Sequence, residues 1–181
     1  MTKQANHNTS NDAQCKDALT MEKKHTLDDV VRERFEATKQ RGKYLTYTVQ
    51  ELDATGFKDY DEAVKRAIFK FGKEKSKSWG NLGAEHFMKH MIPDEIGVAT
   101  MRFQEAGDGS PERAEFTFGH CPLEEGWKEM GLSAQLRSRL CALASEHDFG
   151  IVDNDSILKL DMPEAIGKGD PVCRLIFTKK G

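Results

Sequence analysis

Near residue 96 the hydrophobic spacing of this chain changes, and that change limits the folds open to it. Before it, apolar residues recur at helical intervals. After it, two stretches, IGVATMRF and ERAEFTF, alternate with period two around the turn-forming QEAGDGSP. Helices therefore dominate the first half. The second half reads as hairpin, helices, hairpin. The expected fold is α+β: N-terminal helices packed on a mostly antiparallel sheet of about four strands, in a single domain.

The helical half divides at its punctuation. Thr26 caps a first helix through TLDDVVRERFEATKQRG, with Leu27, Val30, Val31 and Phe35 on one face and Gly42 as its stop. The next stretch, KYLTYTVQELDATGF, is rich in β-branched and aromatic residues and is compatible with strand or helix. A second helix follows in DYDEAVKRAIFKFGKEKSKSW, where Ala63, Ala67, Ile68 and Phe71 share a side. Gly80 and Gly83 bracket a break, and a helix from about Leu82 to Met91 ends before Pro93. Beyond the alternating stretches, a helix begins near Leu123. Another runs through LSAQLRSRLCALASEHDFG, with Gly150 just beyond its end and His147 and Asp148 at its C-terminus. SILKLDM and PVCRLIFTK supply the last two strands.

The 181 residues suffice for one domain, 23–181, after a polar tail at 1–22 without periodicity. Net charge is −3 with interspersed signs, which argues against a nucleic-acid partner. No run of 18 apolar residues exists, so no membrane partner is expected, and the polar start reads as no secretory signal. Of the four cysteines, Cys15, Cys121, Cys141 and Cys173, none forms a CxxC pair. Reduced thiols and a cytoplasmic location are the expectation.

Chemistry centres on FTFGHCPLEEGW, residues 116 to 127. Gly119 and Pro122 end a strand and start a helix, and helix-dipole complementarity explains Glu124 and Glu125. The thiol is not required by that turn. Cys121 beside His120, at a helix start, is a candidate nucleophile, since a thiolate is favoured by a cation or a helix N-terminus. Neighbours on extended chain point to opposite faces, so contact between the two is not implied. Glu124 is a candidate acid or base, and Trp127 is core or ligand platform. In EHFMKHM, His86 and His90 lie four apart on one helical face, where two imidazoles can bind a divalent ion such as Zn or Mn. In GKGDPVCRLIF, Asp170 belongs to turn chemistry. Cys173, Leu175 and Phe177 share one strand face, either core or surface.

The ordered series Cys121-Pro122, Trp127, Gly131, Cys141, Asp148 and Gly169-Asp170-x-x-Cys173 resembles the L-2-amino-thiazoline-4-carboxylic acid hydrolase family over about residues 96 to 178. The closing strand is also similar to that of 4-vinyl reductase-type ligand-binding domains. The first resemblance implies a small-molecule substrate and hydrolysis of a cyclic amidine- or amide-type C–N or C–S bond. Catalysis would fall to Cys121, His120, Glu124 and Asp170, with Cys141, Cys173 and Trp127 at the substrate. Two routes are open, thiol attack or metal-activated water on His86 and His90. The second resemblance implies a non-catalytic small-molecule-binding sensor instead. Either way Cys121 is expected to line a pocket with Cys173, Cys141 or both. A homo-oligomer stays open. His120 stands where a basic residue precedes the Cys-Pro pair in the family, and a threonine expected before Asp170 is missing.

Overall fold

The computed structural model describes residues 26–92, 94–105 and 109–181. The tail at 1–22, with Cys15, and the tip of the first hairpin lie outside them. Helix α1 (Leu27–Ala54) leads to α2 (Tyr60–Ser76), α3 (Ala84–Met91) and α4 (Glu95–Met101). Strands β1 (Phe103–Glu105) and β2 (Arg113–Phe118) follow, then α5 (Pro122–Glu129) and α6 (Ala134–Asp153). Strands β3 (Leu158–Glu164) and β4 (Cys173–Lys179) close the chain around a 3₁₀ turn at Ile166–Lys168. The sheet is fully antiparallel in the order β1-β2-β4-β3. The expected α+β architecture, with four strands and most helices before them, is what forms.

Thr26 begins α1 with a capping box: its hydroxyl accepts from the Asp29 amide, and Asp29 returns the bond to the Thr26 amide. The helix does not stop at Gly42. It runs on through KYLTYTVQELDA, where Leu45 and Val49 pack with Trp127 of α5 and Leu140 and Leu143 of α6, so that helical burial outweighs β propensity. Gly42 is buried within it, and its carbonyl accepts from Trp127 Nε1 at 3.0 Å.

The other departure from the sequence pattern is IGVATMRF, which is helix up to Met101 rather than strand. Asp94 caps it, Oδ1 accepting from the Gly97 amide at 2.6 Å, while Arg34 of α1 holds the same carboxylate at 2.9 Å. Alternation over so few residues fits either period, and the cap decides. Arg102 ends the helix in a left-handed conformation (φ 49°), leaving only Phe103–Glu105 for β1. The expected hairpin survives, with Phe103 opposite Phe118.

Two apolar clusters hold the layers. One joins Phe87 and Met88 of α3 to Phe116, Leu175 and Phe177 of the sheet and Ile151 of α6. The other packs Val49, Trp127, Leu140 and Leu143 between α1, α5 and α6. Cys173, Leu175 and Phe177 therefore face the core. The opposite sheet face carries Arg174, bound to Glu164 and, at 2.6 Å, to Glu115.

Helices α2 and α6 run in the same sense. Arg139 meets Asp61 at 2.8 Å near their starts, and Ser76 Oγ donates to the Ile151 carbonyl at 2.6 Å near their ends. Their approach is set by Gly72 and Gly150, whose missing side chains leave room for the facing backbone. Gly150 is thus buried inside α6, not beyond it. His147 and Asp148 lie within the helix, which continues to Asp153.

Candidate functional site

The pairing of β2 with β4 sets Phe118 opposite Cys173. Three residues after Phe118 the chain turns into α5, with Cys121 in extended conformation (φ −122°, ψ 106°) at its N-cap and Pro122 in its first turn. On α6, Cys141, Ser145 and Asp148 follow at intervals of four and three and so share a face. These segments close around a cavity of about 90 Å³ where the two apolar clusters meet. Cys121, Cys141, Cys173 and Trp127 all line it, together with Leu123, Met162, Ser145 and Asp148. Among the described residues, Asp148 is its sole charged lining residue.

The thiols are held neutral. Burial pushes Cys121 up to about 12, although the Glu124 and Leu123 amides at the start of α5 favour its thiolate. Burial likewise pushes Cys173 to about 11, with the Ile166 amide donating to its sulfur at 3.3 Å. Cys141 is raised by burial as well. The site is therefore the reverse of a low-pKa thiolate.

His120 does not join Cys121. Its ring stacks on Phe35 of α1 at 4.7 Å and is not part of the cavity wall. Partial burial, with Arg102 nearby, favours its neutral form. Adjacency in sequence gave no contact because neighbouring side chains of extended backbone diverge.

Glu124 and Asp170 belong to a second cavity, of about 220 Å³, lined also by Lys128, Arg137 and Lys168. The Glu124 side chain is buried and Oε1 accepts from Arg137 Nε at 2.8 Å. Asp170 Oδ2 accepts from the Ala165 amide at 2.8 Å, which fixes the 3₁₀ turn. Gly167 lies between the cavities. A Cβ there would stand 2.5 Å from Cys141 Cβ and 2.8 Å from its sulfur. Neither carboxylate thus lines the thiol cavity.

His86 and His90 do not assemble a metal site. His90 Nδ1 lies 2.9 Å from the His86 carbonyl, and its ring packs against Trp79 at 5.5 Å. Among the described residues no group of three His, Cys, Asp or Glu side chains is placed to hold a metal ion. The residues present therefore do not fit Zn or Mn, and no step is derived through a metal.

Asp148, present in the ordered motif series but given no site role there, is the lining carboxylate. Placing the helix end at Gly150 made it a terminal residue. The Cys141, Ser145, Asp148 spacing was the signal that could have found it.

The raised thiol has a stability consequence. Between its ordinary value near 9 and about 12, the unfolded chain loses the Cys121 proton and the folded chain keeps it. Folding stability present below pH 9 is then lost as pH rises, at about 1.4 kcal/mol per pH unit for this thiol. Urea unfolding at pH 8 and pH 10 should show a decline smaller in Cys121→Ala than in wild type by about that amount. Equal declines would contradict the neutral, enclosed thiol.

A family model described as L-2-amino-thiazoline-4-carboxylic acid hydrolase matches residues 36–177, from within α1 to β4. The match takes in the helical half that the motifs alone did not reach. No curated protein matches the sequence. Among solved structures, a trafficking protein particle complex subunit 3 from Naegleria fowleri, covalently bound to palmitic acid, is similar at 11% identity and a TM-score of 0.46. That similarity covers 80% of this chain and 96% of the other. Among the described residues no helix is long and apolar enough to cross a membrane.

Proposed function

The chain belongs to the L-2-amino-thiazoline-4-carboxylic acid hydrolase family, and from that premise we propose that its thiol cavity hydrolyses a small cyclic amidine, with Cys121 as nucleophile. Hydrolysis is the family-level function. The bond, the substrate and the residues are proposed. One observation carries it: Cys121 sits at the N-cap of α5, where the Glu124 and Leu123 amides favour its thiolate, in a cavity whose sole charged lining residue among the described residues is Asp148.

In a mainly apolar cavity wall, Asp148 favours seating the positively charged or N–H-donating part of a ligand against it. An amidinium meets both conditions. Seated on Asp148, it brings positive charge against Cys121 and lowers a thiol pKa that burial alone raises. The small volume, below the roughly 300–1,000 Å³ of pockets for drug-sized ligands, favours a single heterocycle over a peptide.

The chemistry balances with one water. The Cys121 proton passes to Asp148 and the sulfur attacks the amidine carbon, giving a tetrahedral centre. The ring C–S bond breaks and the ring sulfur takes the proton. What remains is an isothiourea joined to Cys121. Water then adds to the same carbon, giving up its proton through Asp148, and the bond to Cys121 breaks. The products are a urea and the free thiol, so 2-aminothiazoline-4-carboxylate would yield a carbamoyl-cysteine.

Neutral thiols in a mainly apolar cavity also suit a sensor that binds its ligand unchanged. Turnover separates the two readings. Chromatography of 2-aminothiazoline-4-carboxylate incubated with the protein should show the urea accumulating, and Asp148→Asn should slow this by roughly 10²–10⁴-fold. A variant as fast as wild type removes Asp148 from the reaction. Saturable binding without product would make the cavity a sensor site.

A further inference from the structure

The sequence pattern sets Ala63, Ala67 and Phe71 on one side of α2, and the structure leaves all three exposed, Phe71 at 62%. Tyr44 and Tyr47 of α1 stand 76% and 60% exposed. Among the described residues the other large exposed apolar side chains are Leu27, Phe57 and Val98, so all but Val98 fall on α1, α2 or the loop joining them. These two helices do not close on each other. Helix α1 packs chiefly on α5, and α2 on α6. Between α1 and α2 lies an open groove of about 510 Å³, lined by the exposed Tyr44 and Phe71 and by the half-buried Leu45, Ile68, Leu123 and Ala144 of the second apolar cluster. Exposed aromatic rings around a groove that reaches a core cluster mark an interaction face.

The outer face of α1 carries the partner's signature. Ala37, Arg41, Tyr44, Thr48 and Glu51 recur at intervals of four, three, four and three, the seven-residue repeat by which helices pack side by side. All but the half-buried Thr48 are exposed. The two charges in this row have opposite signs, and neither is in an ion pair among the described residues. Arg41 gives a 3.4 Å hydrogen bond to Thr38 Oγ1, and the Glu51 side chain makes no hydrogen bond. Each stands five residues from Thr46, one on either side. Turned over by a two-fold axis at that level, the row meets itself antiparallel. Arg41 then faces Glu51 of the partner subunit, and Tyr44 faces Thr48 of the partner subunit. A two-fold contact requires a face complementary to itself, and this one holds both signs, the projecting rings and the groove. A foreign helix could use the groove but would not call for charges balanced about Thr46. We propose that the α1–α2 face is the interface of a symmetric homodimer of this chain, with α1 lying antiparallel to its copy.

Sedimentation velocity of the full chain, from low to high micromolar concentration, tests it. The protein should reach twice the monomer mass within that range. Tyr44→Glu, at a position exposed enough to leave the circular dichroism unchanged, should weaken dimerisation roughly a hundredfold, because a charge enters the contact from each subunit beside the axis. Arg41→Glu and Glu51→Arg each set like charges opposite one another at two places and should weaken it roughly tenfold or more. Together they restore opposite charges, so the double variant should dimerise within about threefold of wild type. That recovery belongs to the antiparallel register, since two independent losses would leave the double variant weakest. A monomer at every concentration, with or without an apolar small molecule retained in native mass spectrometry, would overturn the proposal. So would a dimer of wild-type affinity in Tyr44→Glu, or a double variant no tighter than its single parents.

Discussion

Cys121→Ala is expected to lower hydrolysis of 2-aminothiazoline-4-carboxylate by roughly 10³-fold or more, measured as product formed per protein at saturating substrate. Three thiols share the cavity, and the account assigns attack to one of them. Cys121 is at the N-cap of α5; its sulfur makes no cap hydrogen bond, but the Glu124 and Leu123 amides of the first turn favour negative charge on it as it develops. Cys173 accepts one amide bond from the 3₁₀ turn, and Cys141 sits mid-helix against Gly167. Alanine at either of those positions removes wall rather than nucleophile, so each variant should keep activity within roughly tenfold of wild type, a packing-scale loss. Full activity in Cys121→Ala would remove the covalent route. Equal collapse in all three variants would point to a loss of cavity shape instead.

Gly150→Ala is expected to destabilise the fold by roughly 3 kcal/mol or more, the upper end for overpacked cores. For a chain of this size the melting temperature should fall by roughly 6–12 °C. A Cβ at Gly150 would stand 2.1 Å from the Phe69 carbonyl oxygen, and one at Gly72 would stand 2.1 Å from that of His147. Both obstacles are backbone, so the helices themselves must part. Parting them strains the Ser76–Ile151 bond and the bonds from Asn154 Nδ2 to the Lys73 carbonyl and Ser76 Oγ. It also loosens the cluster around Leu140 and Leu143. The sign is diagnostic. At an open helical position the same change stabilises by about 0.4–1 kcal/mol. A melting temperature equal to or above that of wild type would refute this helix contact.

The architecture was legible because period and punctuation agree over most of the chain. The helix at Tyr60–Ser76 and the strands around ERAEFTF and PVCRLIFTK lie close to where the pattern puts them. The departures share one cause. Gly42 and Gly150 read as stops, since glycine commonly ends helices, yet each is a point of close approach between elements. A local pattern carries no information about a partner helix. IGVATMRF went the other way because a cap bond from Asp94, itself held by Arg34 sixty residues earlier, settled a stretch that its alternation left ambiguous.

The site divides along the same line. Cys121, Cys141, Cys173 and Trp127 stand together because strand pairing and a helix face join them, and their order along the chain is what carries the resemblance to the family. His120, Glu124 and Asp170 were drawn in by sequence proximity to Cys121 or Cys173. Proximity does not set direction: His120 turns to Phe35, Glu124 to Arg137, and Asp170 back on its own turn. The level of the thiol pKa was not legible either. Residues next to Cys121 suggested a lowered value, whereas burial by Cys141, Cys173 and the helices around them raises it.

The central claim is that Cys121 bonds to the substrate carbon during turnover. The most direct measurement is the intact mass of the protein, acid-quenched within the first turnover with 2-aminothiazoline-4-carboxylate, followed by peptide mapping. The account predicts a mass increase equal to the whole substrate, since ring opening on the enzyme loses no atoms. The added mass should map to Cys121 and be absent in Cys121→Ala. Product formed in a full turnover with the protein mass unchanged at every quench time, or an adduct on Cys141 or Cys173 instead, would contradict it.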